Sequence, residues 1–292
     1  MISAALVKEL REKTGAGMLD CKNALEESNG DMGKAVDWLR EKGIAKAAKK
    51  AGRIAAEGLV KLCFIDNQAV IIEMNTETDF VAKNEQFLSL LDVVANAVLE
   101  NKPADLDSAS KIEVEGESIE SRIINATANI GEKISLRRFV VEEKEKEQIF
   151  GLYTHFDNRI AVITVLDGGS EEVAKDIAMQ VASMAPSFVS RGDMDEDFIN
   201  HEKDIQRGII ANDETLANKP EKVLAGILEG RLSKTLQEMC LLDQVFFKNQ
   251  DIKVSQFLKE NNANCLRFVR FMVGEGLEKR TDDFAAEVAS ML

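Results

Sequence analysis

Two histidines, His155 and His201, and four cysteines, Cys21, Cys63, Cys240 and Cys265, are the side chains best suited to nucleophilic or metal chemistry in this chain. Neither histidine has a cysteine or serine beside it in sequence to suggest an activated pair. The cysteines make no C-x-x-C motif, so reduced thiols are expected rather than a zinc site or a disulfide framework. Glu142-Glu143 and Asp282-Asp283 read as solvated faces and caps rather than acid/base dyads. Gly15-Ala16-Gly17 joins two helical patterns instead of following a strand, and there is no G-x-x-x-x-G-K-[ST] run, so no dinucleotide or phosphate loop is expected. The residues therefore imply no catalytic set, no metal and no cofactor.

One stretch is unusual for a different reason. Asn75-Thr76-Glu77-Thr78-Asp79-Phe80-Val81 ends an apolar strand in a knot of hydroxyls and acids, then adds an aromatic at once. Phe80 lies seven residues before Phe87, so the two could share one buried helical face. The alternative is an aromatic displayed to a partner, as in interface hot spots.

The elements around it follow from periodicity. Residues 1–43 read as three short helices. Leu6 and Leu10 mark the first, Met18, Cys21 and Leu25 the second, and Met32, Val36 and Leu39 the third. Asn29-Gly30 gives a left-handed stop, Asp31 an N-cap, and Gly43 closes the third helix. Residues 44–57 carry Lys46, Lys49, Lys50 and Arg53 and read as a basic, partly helical linker, either solvated or docked on an acidic surface. Leu59–Phe64 and Val70–Met74, joined at Asp66-Asn67, make a hairpin. A helix with Phe87, Leu91, Val94 and Val98 follows, then one with Ile119, Ile123 and Ile130 ending at Gly131, then a strand with Ile134, Leu136 and Val140.

The pattern then repeats. Residues 156–163 echo 64–71 as strand, Asp-Asn turn and strand, and both hairpins run into a helix start. Thr78 matches Ser170, Asp79 matches Glu171, Val81 matches Val173, and Phe80 matches Glu172. A position that takes a carboxylate in one copy is expected to face solvent in the other, which favours an exposed Phe80. The expected fold is α+β. A core of two related halves, 58–147 and 148–194 with 237–273, has antiparallel strands, and an inserted antiparallel helical hairpin occupies 195–236. The hairpin pattern is Phe198, Ile205 and Ile209, then Leu224, Leu228, Leu232 and Leu236 after a break at Pro220. A helical module, 274–292, closes the chain on Phe284, Val288 and Leu292.

The length of 292 residues admits two or three domains, and a net charge of −14 argues against nucleic acid as the main partner. No apolar stretch approaches a membrane span, and no secretory signal is visible, so a cytoplasmic protein is expected. One reading of these modules is a general adaptor, indifferent to its partner's nucleotide state.

The segments LVKELREKTGAGMLDCKNALEESNGDMGKAVDWLREKGIAKAAKKAGR, TETDFVAK and RFVRFMVGEGLEKRTDDFAAEVA resemble the bacterial elongation factor Ts family, in the same order along nearly the whole chain. The resemblance implies a ubiquitin-associated-like N-terminal domain and a guanine nucleotide exchange factor, not an enzyme, acting on the GTPase elongation factor Tu. It also implies that Thr78, Asp79, Phe80 and Val81 enter that GTPase and dislodge its magnesium. Arg11, Met18 and Leu19 would touch the nucleotide domain, His155 and Phe247 would make further contacts, and the C-terminal helix would pack on the partner. The factor itself would bind no nucleotide.

Overall fold

The structure, a computed structural model, describes residues 2–216 and 219–278. Its first elements are α1 (Ala4–Thr14), α2 (Met18–Glu27) and α3 (Met32–Ala48). Ser3 and Asp31 cap α1 and α3 by accepting backbone N–H bonds, and Gly15, at φ 68°, ends α1 in the left-handed region. Val7, Leu10, Cys21, Ala24, Leu25 and Ala35 form a small core. Met18 is not part of that stripe: it stands exposed at the start of α2.

Gly43 does not close the third helix. It is buried inside α3, with the Ala128 methyl as its nearest neighbour, so the missing side chain serves close helix packing rather than a stop. α3 continues to Ala48 along a later helix, to which Lys50 donates at the Thr127 carbonyl.

The first sheet follows. β1 (Glu57–Ile65) and β2 (Gln68–Thr76) form the expected antiparallel hairpin, with Asp66 at φ 52° in the turn. Next come α4 (Asp79–Ala82), α5 (Glu85–Asn101), α6 (Leu106–Ser110), the two-residue strands β3 (Glu113–Val114) and β4 (Glu117–Ser118), and α7 (Ile119–Ile130). β5 (Ser135–Glu143) then pairs antiparallel with β2. Val70, Ile72 and Met74 project from one face of β2 into a cluster with Phe87, Leu91, Val94 and Val98 of α5.

The second sheet contains β6 (Gln148–His155) and β7 (Ile160–Gly168), and α8 (Glu171–Met184) leaves it. α9 (Glu196–Ala211) and α10 (Glu221–Met239) are the inserted helices, with Pro220 at the N-cap of α10. Leu232 and Leu236 are buried as expected, with Phe198 and Ile199 packed against them. Ile205 and Ile209 are exposed; Ile199 and Ile210 supply the inward positions instead. β8 (Val245–Phe246), β9 (Asn249–Lys253), α11 (Val254–Glu260) and β10 (Ala263–Met272) complete the described elements. The two larger sheets have orders β1-β2-β5 and β6-β7-β10, so the second strand of each hairpin is central in both. The expected helix on Phe284, Val288 and Leu292 lies outside the described residues.

Candidate functional site

The loop from β2 to α4 is built from its own side chains. Thr78 caps α4, its hydroxyl accepting the Val81 N–H at 3.4 Å. The same hydroxyl donates to Glu132 Oε1 at 2.7 Å, while Glu132 Oε2 accepts the Thr78 N–H at 3.0 Å and the Thr76 hydroxyl at 2.9 Å. Between these threonines, Glu77 accepts from the Arg53 guanidinium at 3.2 Å and the Lys133 N–H at 2.6 Å. Two carboxylates thus hold three consecutive residues. Nothing local in the sequence announced Glu132; it sits 54 residues from Thr78, just after the Gly131 that ends α7.

α4 lasts one turn. Its backbone is released at Lys83, and Asn84 starts a new helix by accepting the Gln86 N–H at 2.8 Å and the Phe87 N–H at 3.4 Å. Ala82 is buried, Val81 is half-buried, and Phe80 is 80% exposed. Phe87 is fully buried, so the two aromatics do not share a face. Asp79 pairs with Lys83 at 3.0 Å, and that ammonium draws its carboxyl below the ordinary range. The turn therefore presents an apolar ring beside a carboxylate, both open to a partner.

The remaining expected contact residues lie elsewhere. Arg11 is exposed on the last turn of α1, and Met18 and Leu19, 51% and 69% exposed, open α2 beyond the Gly15 turn. These three share one end of the N-terminal helices. His155 ends β6, with its Nδ1 2.8 Å from the Tyr153 hydroxyl. Phe247 is half-buried next to Phe246, and its N–H donates to Gln180 Oε1 at 2.8 Å. His201 is exposed on α9.

Nucleophilic chemistry finds little support among the described residues. All four cysteines are free, and burial pushes the Cys63 thiol up to about 11 and the Cys265 thiol up to about 12, away from the reactive thiolate. No group of three His, Cys, Asp or Glu side chains among the described residues is placed to hold a metal, and no described helix is long and apolar enough to cross a membrane.

Behind the loop lies a buried polar cluster. A bulge between Glu73 and Met74 sets Glu73 opposite Arg138 and Met74 opposite Leu136, leaving Arg137 as the extra residue. In a regular strand, neighbouring side chains point to opposite faces. Here the bulge turns both arginines onto the fully buried Glu73, Arg137 at 2.9 Å and Arg138 at 2.6 Å. The Gly274 N–H donates to the same carboxylate at 2.8 Å. Burial alone would raise the Glu73 carboxyl, but the Gly274 N–H and the two guanidiniums outweigh it and hold the group below the usual carboxylate range.

Residues 77–275 match the family described as elongation factor TS. The chain is 54% identical over 292 residues to elongation factor Ts of Acholeplasma laidlawii, covering 100% of this chain and 99% of that protein. It is 50% identical over 291 residues to elongation factor Ts of Oenococcus oeni, covering 100% of this chain and 98% of that protein.

Proposed function

Because the chain belongs to the elongation factor Ts family, we propose that this translation elongation factor works by nucleotide exchange on elongation factor Tu. It would bind the GDP form and insert the Thr78–Val81 turn beside the nucleotide. It would displace magnesium and release GDP so that GTP can follow. The observation that carries the reading is Phe80, an 80% exposed aromatic on a one-turn helix whose loop is fixed by two carboxylates.

Exchange of this kind needs no covalent step. Magnesium ties the phosphates to a GTPase, so moving it weakens nucleotide binding. Each tenfold loss of affinity takes about 1.4 kcal/mol, which an aromatic wedge and a wider interface can supply. By reciprocity, nucleotide weakens the factor's hold by the same ratio, so incoming GTP expels it. Phe80 is assigned as the wedge, with Asp79 and Val81 flanking it and Thr78 as the cap. Arg11, Met18 and Leu19 form a second contact, and His155 and Phe247 lie in further ones.

The test is release of labelled GDP from elongation factor Tu by the full chain, by Phe80→Ala and by Glu172→Ala. Fast release by the wild type, reduced on the order of a hundredfold in Phe80→Ala and unchanged in Glu172→Ala, is expected for a residue that works only through its placement. No release by the wild type sinks exchange, and an undamaged Phe80→Ala removes the wedge.

A further inference from the structure

We propose that Glu132 is the positioning residue for the exchange turn, setting the direction in which α4 carries Asp79 and Phe80. The proposal rests on the exchange reading above and adds to it a residue outside the turn. The chemistry lies in how one hydroxyl is shared. A threonine hydroxyl has a single proton to donate and lone pairs to accept with. At Thr78 the proton goes to Glu132 Oε1 at 2.7 Å, which leaves a lone pair for the Val81 N–H. Glu132 therefore fixes the rotamer of the cap as well as its position.

The second carboxylate oxygen holds the backbone that leads into the turn, through the Thr78 N–H and the fully buried Thr76 hydroxyl. An ionised carboxylate is an acceptor only, so three donors converging on it suit its chemistry. A four-residue helix has almost no stability of its own, because nucleation cost is not recovered over one turn. Its axis is thus set by what grips its N-cap Thr78, and Phe80 lies two positions further on.

The other half of the molecule supports the assignment. There the residues in the places of Thr76, Glu77 and Thr78 are Gly168, Gly169 and Ser170, which offer neither the first hydroxyl nor the acid. Gly168 and Gly169 turn at φ 75° and 82°, and the Cβ that each lacks would lie 2.3 Å from the Asn262 carbonyl oxygen and 2.9 Å from the Ala263 methyl carbon. That turn is shaped by backbone fit, and its helix displays Glu172 instead of an aromatic.

The experiment is a double-mutant cycle on GDP release, using the full chain with Glu132→Gln, Phe80→Ala and both together. The glutamine keeps shape but turns an amide N–H₂ towards donors. Release should slow by about tenfold or more in Glu132→Gln, the effect expected of a misplaced reacting group. In the Phe80→Ala background the same change should alter release by less than about twofold, because the two residues then act through one contact. Wild-type release from Glu132→Gln, or an equal slowing in both backgrounds, would overturn the proposal while leaving exchange intact. A wild type that releases no GDP overturns the exchange reading, and this proposal with it. Should Glu132→Gln not fold, Thr76→Val removes one hydroxyl from the same carboxylate. It should slow release about threefold, the worth of one hydrogen bond, and an unchanged rate would again refute the assignment.

Discussion

β2 and β7 are strands of the same length, ninety-two residues apart at both ends, and each is the central strand of its sheet. After each, a hydroxyl side chain caps a helix two residues on: Thr78 accepts from Val81 N–H at 3.4 Å and Ser170 from Val173 N–H at 3.3 Å. The copies part company past that point. α8 runs unbroken for fourteen residues and buries Val173, Ala174, Ile177 and Val181 along one side. Its carbonyl at Ala174 comes so near the sheet that a Cβ on Gly151 would meet it at 2.0 Å. In the first half the same segment is cut at Lys83-Asn84 into a single turn and a new helix. One copy packs, and the other presents. What separates them is a second helix cap, a pair of acids and the exchange of a carboxylate for a phenyl ring.

The comparison can be broken most severely at position 73. Glu73 corresponds to Val165, and both are fully buried. Glu73→Val would give the first sheet the second sheet's residue but take the shared carboxylate from Arg137 and Arg138, leaving Arg138 paired with Glu275, and should cost about 3 kcal/mol in urea unfolding at neutral pH. The wild type should show a matching acid limb. A carboxyl held below its ordinary value stabilises fully above about pH 4.3, and that contribution is lost as pH falls from there through its depressed value. Glu73→Val should lack this part of the decline.

The next effect belongs to the second half. Gly168→Ala forces a side chain into the left-handed region against the Asn262 carbonyl and should lower stability by about 2–3 kcal/mol, measured by thermal or urea unfolding. Thr76, in the same place in the first half, already carries a side chain, so the two turns are not interchangeable. The smallest effect sharpens the contrast at the break itself. Asn84→Ala removes the cap of α5 and should cost about 1 kcal/mol in the same assay.

Much of this was legible in the sequence, for identifiable reasons. Hairpins announce themselves by alternation and a turn pair, so β1–β2 emerges directly. Phe80 emerges only through the repeat, because the Glu172 alignment carries information that spacing to Phe87 does not. Glu132 stays hidden because its partners lie 54 and 56 residues away and no local pattern requires an acid after a helix-ending glycine. Gly43 misleads because glycine serves both as a stop and as a point of close packing, and the choice depends on the distant Ala128. In α9 several apolar residues admit more than one stripe, and Phe198 and Ile199 facing Leu232 decide it. The two-residue strands β3 and β4 are too short to show periodicity at all.

The tie between Glu73 and Gly274 has a consequence for how the chain is made. Residues 1–143 belong to one compact unit, yet among the described residues that unit also takes in 271–278. During synthesis the N-terminal part emerges first and begins to fold as a unit. Its buried carboxylate lacks the Gly274 donor until 201 further residues have been translated. Every strand of the second sheet, through β10, is therefore translated before Gly274 can donate to Glu73. The half that carries Phe80 is the earliest to be made, yet its buried Glu73 waits for a donor from far along the chain.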